Sequence, residues 1–208
     1  MRTHWKGFLL IFFGSLLWSM GTQATAINVA LNKTVTLNGE FFTGGWGGST
    51  VVDASTVVDD VFLPQSTQWD QGTVWWDSSR GGGGQYLDID LGGAFNIESL
   101  IVQADDNDSY DLLYWDLGSS VWQLAWGVPA VGGWGEQTRP NPLDDTQRYL
   151  LSTPIVTSTL RFQANSGDGY YSVSEIQAYG TAVPEPTSLV LLAAGLLGVG
   201  AVRRRRRA

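Results

Sequence analysis

The middle of this 208-residue chain consists of short stretches in which apolar and polar residues alternate, and none of its segments of ten or more residues follows a helical period. The clearest stretch is 85–91, where Asp88 and Asp90 share one face of a predicted strand. Similar stretches recur between turn residues, at 34–37, 99–104, 110–116, 121–125, 148–151, 159–164 and 171–179. Glycine-rich segments predict loops, at 44–48, 81–84 and 132–135. The pattern predicts an all-β domain over residues 27–182, of the size of one β-sandwich or jelly roll.

The first 26 residues have the layout of a secretory signal peptide. Two basic residues open the segment, residues 8–20 are largely apolar, and Ala24 and Ala26 frame a small-x-small cleavage site. A membrane anchor is the alternative, but this 13-residue stretch is shorter than a spanning helix, which needs about 20 residues. We expect cleavage after Ala26, so that the exported chain begins at Ile27.

The C-terminal end has three features in a set order. Pro184, Glu185 and Pro186 come first, and an apolar run of 14 residues follows. Five arginines, at 203–207, come after the apolar run. The run predicts a transmembrane helix over residues 188–202, although its apolar part extends only about 21 Å, against a hydrocarbon core of about 30 Å. Arginine side chains can lengthen such a span by snorkelling, and they keep the C-terminus in the cytoplasm. The preceding domain then lies outside.

These three features together closely resemble a PEP-CTERM sorting signal over residues 183–208. The resemblance implies a Gram-negative bacterium, transient insertion of the helix in the inner membrane, and processing near Pro-Glu-Pro by an exosortase, a membrane cysteine peptidase. Proteins with this signal are associated with exopolysaccharide and biofilm production, and we expect a final location at the cell surface or outside the cell. A simple C-terminal anchor is the alternative, although a permanent anchor would favour a longer apolar run.

The exported part of the chain is strongly acidic. Residues 27–182 contain 19 acidic and 5 basic residues, a net charge of −14 that the terminal arginines conceal in the whole-chain value of −8. Such a surface repels nucleic acid, which we therefore exclude as a partner. It is compatible with neutral glycans, with cations, or with solubility alone.

The exported part also lacks the side chains of the commonest nucleophilic mechanisms. The chain has no cysteine, and its one histidine, His4, lies in the predicted signal peptide. Ser-His, Cys-His and imidazole-metal chemistry are therefore excluded. Asp88 and Asp90 would lie about 7 Å apart along one strand face, a spacing that suits a carboxylate-based glycan hydrolase, but any exposed strand gives it. We expect no catalytic residues and no enzymatic activity.

The domain resembles the discoidin, or coagulation factor V/VIII type C, family, which is galactose-binding-like. Four segments carry the resemblance in order: NVALNKTVT at 28–36, Asp59-Asp60 with Thr67-Gln68-Trp69, YLDIDLG at 86–92, and RFQANSGDGYYSVSEIQAYG at 161–180. The family is an eight-stranded jelly roll that binds ligands through loops at one end. Many members bind carbohydrate, and some bind lipid or protein. This chain differs in having Asp60 where glycine is usual and a longer segment from Asp60 to Thr67.

Calcium is the metal that the resemblance implies. Many discoidin-like domains hold a structural Ca²⁺, and the matching residues here are Asp59, Thr67 and Glu175. Calcium is a hard cation that binds carboxylate and carbonyl oxygens. The acidic turn 105–108 is a rival site, although it is not an EF-hand loop because Tyr110 stands where glycine is required. We expect a solvated turn there instead.

Sugar binding needs aromatic faces and hydrogen-bonding side chains. Trp46 and Trp134 are flanked by glycines that can leave them exposed at loop tips, and Trp69 belongs to the first loop. Arg80 and Arg139 are basic residues of predicted loops, which could bind hydroxyls or acidic sugars, or pair with a nearby carboxylate. Other tryptophans are expected to pack in the core, namely Trp75 or Trp76, and Trp122.

Three functions follow for comparison. The first is an exported protein that binds the cell's own exopolysaccharide through loops of the jelly roll. The second is a structural or adhesive matrix protein that acts through protein contacts and self-associates without sugar specificity. The third is a hydrolase that uses Asp88 and Asp90. The sequence favours the first, and it does not identify the sugar.

Overall fold

The computed structural model describes residues 25–42, 53–80, 84–184 and 194. Nearly all of the predicted signal peptide and of the predicted helix 188–202 lies outside these residues. No helix in the described part is long and apolar enough to cross a membrane.

Nine strands and one short 3-10 helix make up the described domain. In chain order they are β1 (Ile27–Asn28), β2 (Thr34–Asn38), the 3-10 helix (Ala54–Val58), β3 (Val74–Asp77), β4 (Tyr86–Asp105), β5 (Ser109–Asp116), β6 (Val121–Val128), β7 (Glu136–Arg139), β8 (Tyr149–Ser166) and β9 (Tyr170–Ala182). All of their pairings are antiparallel. The predicted all-β fold is confirmed, and β1 starts at the residue after the predicted cleavage site.

Two long strands, β4 and β8, each take part in two layers. The first half of β4 pairs with β2 on one side and with the second half of β8 on the other. Its second half pairs with β9, and on its other side with β7 and the start of β8. The register shifts between Asp90 and Phe95, where Gly92 has a φ of 74°. A bulge bends a strand in this way and lets it pass from one layer to the next.

This continuity corrects part of the strand prediction. The stretches 85–91 and 99–104 were expected as two strands, but residues 86–105 form one strand. The stretches 148–151 and 159–164 likewise belong to the single strand β8. The local pattern lapses at the bulges, and pairing with neighbouring strands carries each strand through them.

The two layers pack face to face over an aromatic centre. The ring of Tyr110 in β5 stacks on Phe162 in β8 at 4.8 Å. It also meets Tyr171 at 6.0 Å and Trp76 at 6.1 Å, both from the facing layer. The predicted core positions of Trp75 and Trp76 are confirmed, since these are 5% and 1% exposed.

Trp122 does not lie in the core. It is half-buried on the outer face of the layer that contains β5 and β6, where its ring lies 4.1 Å from Cζ of Arg161. It pairs across the strands with Trp115, whose ring is 5.4 Å away. An apolar neighbourhood in sequence did not distinguish the two faces of β6.

The connections β3–β4, β4–β5, β6–β7 and β8–β9 meet at one end of the sandwich. Ser78 N donates to Gly169 O at 2.9 Å, and Val131 N donates to Asp106 O at 3.0 Å. The segment before β3 reaches the same end, because Ser66 N donates to the first carbonyl of β7 at 2.9 Å. We call this part the loop end; its described residues are 63–73, 78–80, 84–85, 106–108, 129–135 and 167–169.

Candidate functional site

Arg139 holds the loop end together from inside. It lies in β7 and is fully buried, so the prediction that it belongs to a loop is wrong. Its Nε donates to Pro129 O at 3.1 Å. Its two Nη atoms donate to four further carbonyls, those of Ala104, Asp105, Asp108 and Gln137. One guanidinium therefore fastens the end of β6, the β4–β5 turn and β7 to one another, and it is not available to a ligand.

Buried carboxyl groups lie close to this guanidinium. Burial, reinforced by Asp106, raises the pKa of Asp105 to about 6. Burial, reinforced by Asp105, raises the pKa of Asp108 to about 7. Burial also raises the pKa of Glu136 to about 8, although hydrogen bonds from serines oppose it. The acidic turn predicted as a solvated segment is thus largely buried.

Glu136 anchors a chain of buried hydrogen bonds. Ser172 Oγ donates to Glu136 Oε1, and Ser174 Oγ donates to Oε2 at 2.8 Å. Ser172 N donates to the hydroxyl of Tyr110 at 3.3 Å, and that hydroxyl donates to Asp108 Oδ2 at 3.3 Å. The sequence analysis missed this chain. Its one local signal is the Ser-x-Ser spacing, which places both hydroxyls on one face of β9.

A cleft of about 200 Å³ opens at the loop end. Trp76 and Tyr171, which are 1% and 7% exposed, form the buried aromatic floor of the cleft, with their rings stacked at 5.6 Å. Gln85 fixes one wall, because its Nε2 donates to Asp77 O at 3.1 Å and to Arg80 O at 2.7 Å. The described residues that line the cleft carry no charge; they are Trp76, Ser78, Gly84, Gln85, Gln163, Ala164 and Tyr171. Rings, amides and a hydroxyl suit a small uncharged ligand that is rich in hydroxyl groups.

An aromatic cluster lies on the opposite face of β3 and β9 from the cleft, because Tyr170 and Trp75 directly precede Tyr171 and Trp76 and successive side chains of a strand point to opposite faces. The ring of Trp69 is 5.6 Å from Tyr170 and 5.1 Å from Trp75. Phe42 stacks on Trp75 at 4.3 Å. Trp69 and Tyr170 are half-buried, so part of each ring faces the solvent.

Arg80 lies at the edge of this cluster, with Cζ 5.3 Å from the ring of Phe42. Its Nε is 3.3 Å from Asp77 Oδ2. The hydrogen bonds of Ser79 lower the pKa of Asp77, so this partner is ionised. Pairing with a carboxylate was the alternative for Arg80, and it is the arrangement in the structure.

Trp134 is 63% exposed on the β6–β7 loop, which confirms its predicted exposure. Gly135 allows this, because a Cβ there would lie 2.1 Å from Thr67 O and its φ is 62°. Gln137 Nε2 donates to Trp134 O at 3.1 Å and to Ser66 Oγ at 3.3 Å. The loop of Trp134 thus adjoins segment 63–73. Trp46 lies outside the described residues, and its role stays a prediction.

The predicted calcium ligands are brought together only in part. Glu175 is fully buried in β9; its Oε1 accepts from Asp60 N at 3.2 Å, and its Oε2 has no hydrogen-bond partner in the described domain. Burial, with the charge of Asp59, raises its pKa to about 9. The hydroxyl of Thr67 instead donates to Pro64 O at 2.7 Å, and its carbonyl accepts from Glu136 N at 2.8 Å.

An unsatisfied carboxylate oxygen beside a second carboxylate fits a hard cation. Glu175 and Asp59 therefore fit Ca²⁺. Thr67 is not a further ligand, because its hydroxyl and its carbonyl contact other residues. Among the described residues, no group of three or more His, Cys, Asp or Glu side chains is arranged to hold a metal.

Asp88 and Asp90 do not form a free carboxylate pair. Asp88 accepts from Arg161 through both oxygens, at 2.8 and 2.9 Å. Asp90 Oδ1 accepts from Gly92 N at 2.8 Å. Asp88 is thus paired with an arginine and Asp90 with a turn amide, so the arrangement does not favour the hydrolase hypothesis.

The family model of the PEP-CTERM protein-sorting motif matches residues 182–207. The chain carries this sorting motif. The motif starts where the sheet ends, because Val183 N still donates to Ala94 O at 2.9 Å and Pro184 is exposed. Glu185 and Pro186 lie outside the described residues. A comparison with curated proteins found no match.

Solved structures with a similar fold include carbohydrate-binding modules. A family 32 module of C. perfringens NanJ, in complex with galactose, is 18% identical, with 74% of this chain and 98% of that chain covered and a TM-score of 0.44. A chitosan-binding module of a Paenibacillus chitosanase/glucanase is 21% identical, with 74% and 99% covered and a TM-score of 0.46. A family 32 module of Streptococcus pneumoniae EndoD is 15% identical, with 74% and 99% covered and a TM-score of 0.48.

Proposed function

We propose that this chain is an exported carbohydrate-binding protein that binds a neutral exopolysaccharide at the loop end. The observation that carries the proposal is the uncharged cleft of about 200 Å³ at the loop end, together with half-buried aromatic rings on the other face of the same strands. Aromatic faces pack against the C–H side of a sugar ring, and amide and hydroxyl groups bind its hydroxyls. The exposed ring of Trp134 extends this surface on the side of segment 63–73.

The net charge of the domain supports the choice of a neutral glycan. Residues 27–182 carry a net charge of −14, which repels acidic polysaccharides at a distance. Four of their five basic side chains already have partners: Arg139 is held by carbonyls, Arg80 and Arg161 by carboxylates, and Arg148 by the ring of Tyr179 at 3.3 Å. A uronic-acid polymer would therefore find few cations to bind.

The sorting motif supports the location. We propose that the exported domain is held at the inner membrane by its C-terminal segment, is processed by an exosortase, and then reaches the cell surface or the medium, where exopolysaccharide and biofilm matrix form. Since Val183 still belongs to the sheet, cleavage after it leaves every strand in place. The domain can thus keep its binding surface after release.

We also propose that Ca²⁺ binds at Glu175 and Asp59, away from the cleft. The supporting observation is the buried Oε2 of Glu175, which has no partner in the described domain. A bound cation would satisfy it and offset the repulsion between the two carboxylates. The ion would then stabilise the segment that leads to β3.

The test is calorimetric titration of the protein with the exopolysaccharide of its source organism and with a uronic-acid polymer. Trp134→Ala is expected to weaken binding by up to about tenfold, since stacking on one aromatic ring contributes about 0.5–1.5 kcal/mol. Leu143→Ala is the matched control, because Leu143 is 95% exposed and lies in the β7–β8 connection, which is not one of those that meet at the loop end. Equal affinity of both variants and of the unsubstituted protein, or preference for the acidic polymer, would contradict the proposal.

A further inference from the structure

β6 is an uncovered edge of the sheet. It is the last strand in the order β1-β9-β4-β8-β5-β6, and within the described residues it pairs only with β5. An edge strand presents N–H and C=O groups that can pair with another strand. The edges at β7 and β3 are different, because segment 63–73 hydrogen-bonds to β7 and Phe42 bridges to β3. The remaining edge strands are shorter, because β1 has two residues and β2 has five, against eight in β6.

The composition of β6 does nothing to protect this edge. Its sequence, VWQLAWGV, contains no charged residue and no proline, which are the usual means by which proteins prevent edge pairing. Elsewhere the domain carries a net charge of −14, so two copies repel each other wherever carboxylates face one another. β6 adds no charged side chain to that repulsion, and antiparallel pairing of β6 with itself is reciprocal, which points to a second copy as the occupant.

Apolar side chains extend along the same edge. Leu124 is 57% exposed and Val121 is 48% exposed. Trp122 lies on the face of Leu124, half-buried against Trp115. The register shift opposite Leu113 bends the strand after Leu124. Regular pairing with a further strand is therefore confined to residues 121–124, the half of β6 that is away from the loop end.

We propose that two copies of this chain associate by antiparallel pairing of β6 with β6. With the outer faces of both copies on one side of the joined sheet, a pairing centred on Gln123 places Trp122 of each copy opposite Leu124 of the other. Aromatic–aliphatic cross-strand pairs of this kind stabilise a sheet. The pairing leaves the loop end of each copy free, so it does not rest on the proposed glycan binding.

The chain offers a direct test because it contains no cysteine. In the proposed pairing Gln123 of one chain lies directly opposite Gln123 of the other. The two Cβ atoms of the Gln123→Cys dimer would therefore lie about 5 Å apart, close to disulfide geometry. Leu143→Cys is the control, since Leu143 is 95% exposed in a loop. Both full-length variants are oxidised in detergent micelles that disperse the C-terminal segment. We expect most of the Gln123→Cys chain, and little of the Leu143→Cys chain, to migrate as a disulfide-linked dimer.

A second variant tests the interface without a cross-link. Leu124→Lys places two ammonium groups near each other across the paired strands, and we expect self-association to weaken at least tenfold. Light scattering measures the molar mass at low and high salt, and high salt is expected to favour the unsubstituted dimer by screening the acidic surfaces. Equal cross-linking of the two cysteine variants, a monomeric unsubstituted chain, or a Leu124→Lys chain that dimerises as well as the original would each overturn the proposal.

Discussion

The buried carboxyl of Glu136 is expected to make the domain lose stability as the pH rises. Its pKa is about 8 in the folded domain, against an ordinary value of 4.5. Between these values the unfolded chain releases a proton that the folded domain keeps, so a rising pH favours unfolding. At 1.36 kcal/mol for each pKa unit, the interval from 4.5 to about 8 corresponds to about 5 kcal/mol. That is comparable to the whole stability of a marginal domain.

Glu136→Gln removes this titration and keeps the shape of the side chain. The amide can accept from one of Ser172 and Ser174 and donate to the other, because a hydroxyl can do either. We expect the variant and the unsubstituted protein to differ little near pH 4.5. Near pH 8 the variant should be more stable, by up to about 5 kcal/mol. Asp105 and Asp108 have raised pKa values of about 6 and 7 and act in the same direction in both proteins, so the difference reports Glu136 together with its repulsion of Asp105.

The assay is urea denaturation, followed by tryptophan fluorescence at half-unit steps from pH 4.5 to 8.5. Glu98→Gln is the control, because Glu98 lies exposed on the neighbouring strand β4. Its curve should run with that of the unsubstituted protein. If the free energies of unfolding of Glu136→Gln and of the unsubstituted protein stay parallel over this range, Glu136 does not hold its proton in the folded domain, and the account given for the loop end is wrong.

Three further predictions concern the loop end and the calcium site. Arg139→Met leaves several buried carbonyls without a donor and should reduce the free energy of unfolding by about 3–5 kcal/mol, with Arg139→Lys in between; an effect below 1 kcal/mol in urea denaturation would contradict the role of this guanidinium. Gly167→Ala places a Cβ 1.7 Å from Asp108 Oδ1 and should destabilise the folded domain by about 1–3 kcal/mol. Gly127→Ala is the control, because a Cβ there has nothing within 4 Å, and it should leave the stability nearly unchanged. Thermal melts of both variants measure the difference. Chelation should lower the melting temperature of the unsubstituted protein and leave Glu175→Gln unchanged, and equal shifts in both would argue against the calcium proposal.

The sequence predicted those features that depend on local spacing. Alternation along 34–37, 110–116 and 171–179 was enough to locate three of the strands, because side chains of a strand alternate between faces whatever it pairs with. Glycines beside Trp134 indicated its exposure for a similar reason, since the backbone at Gly135 excludes a Cβ. The terminal sorting motif is likewise a local order of residues. These predictions needed no knowledge of which strands meet.

The tertiary structure decided everything that depends on distant partners. Arg139 looked like a loop residue, but its guanidinium binds carbonyls up to 35 positions away in the chain. Glu136 meets Ser172 and Ser174, 36 and 38 positions away, and only their meeting buries it and raises its pKa. The cleft likewise joins the ends of β3, β8 and β9. Spacing along a chain fixes which face a side chain takes, whereas burial, charge state and concave surfaces arise only when the paired strands bring separate segments together.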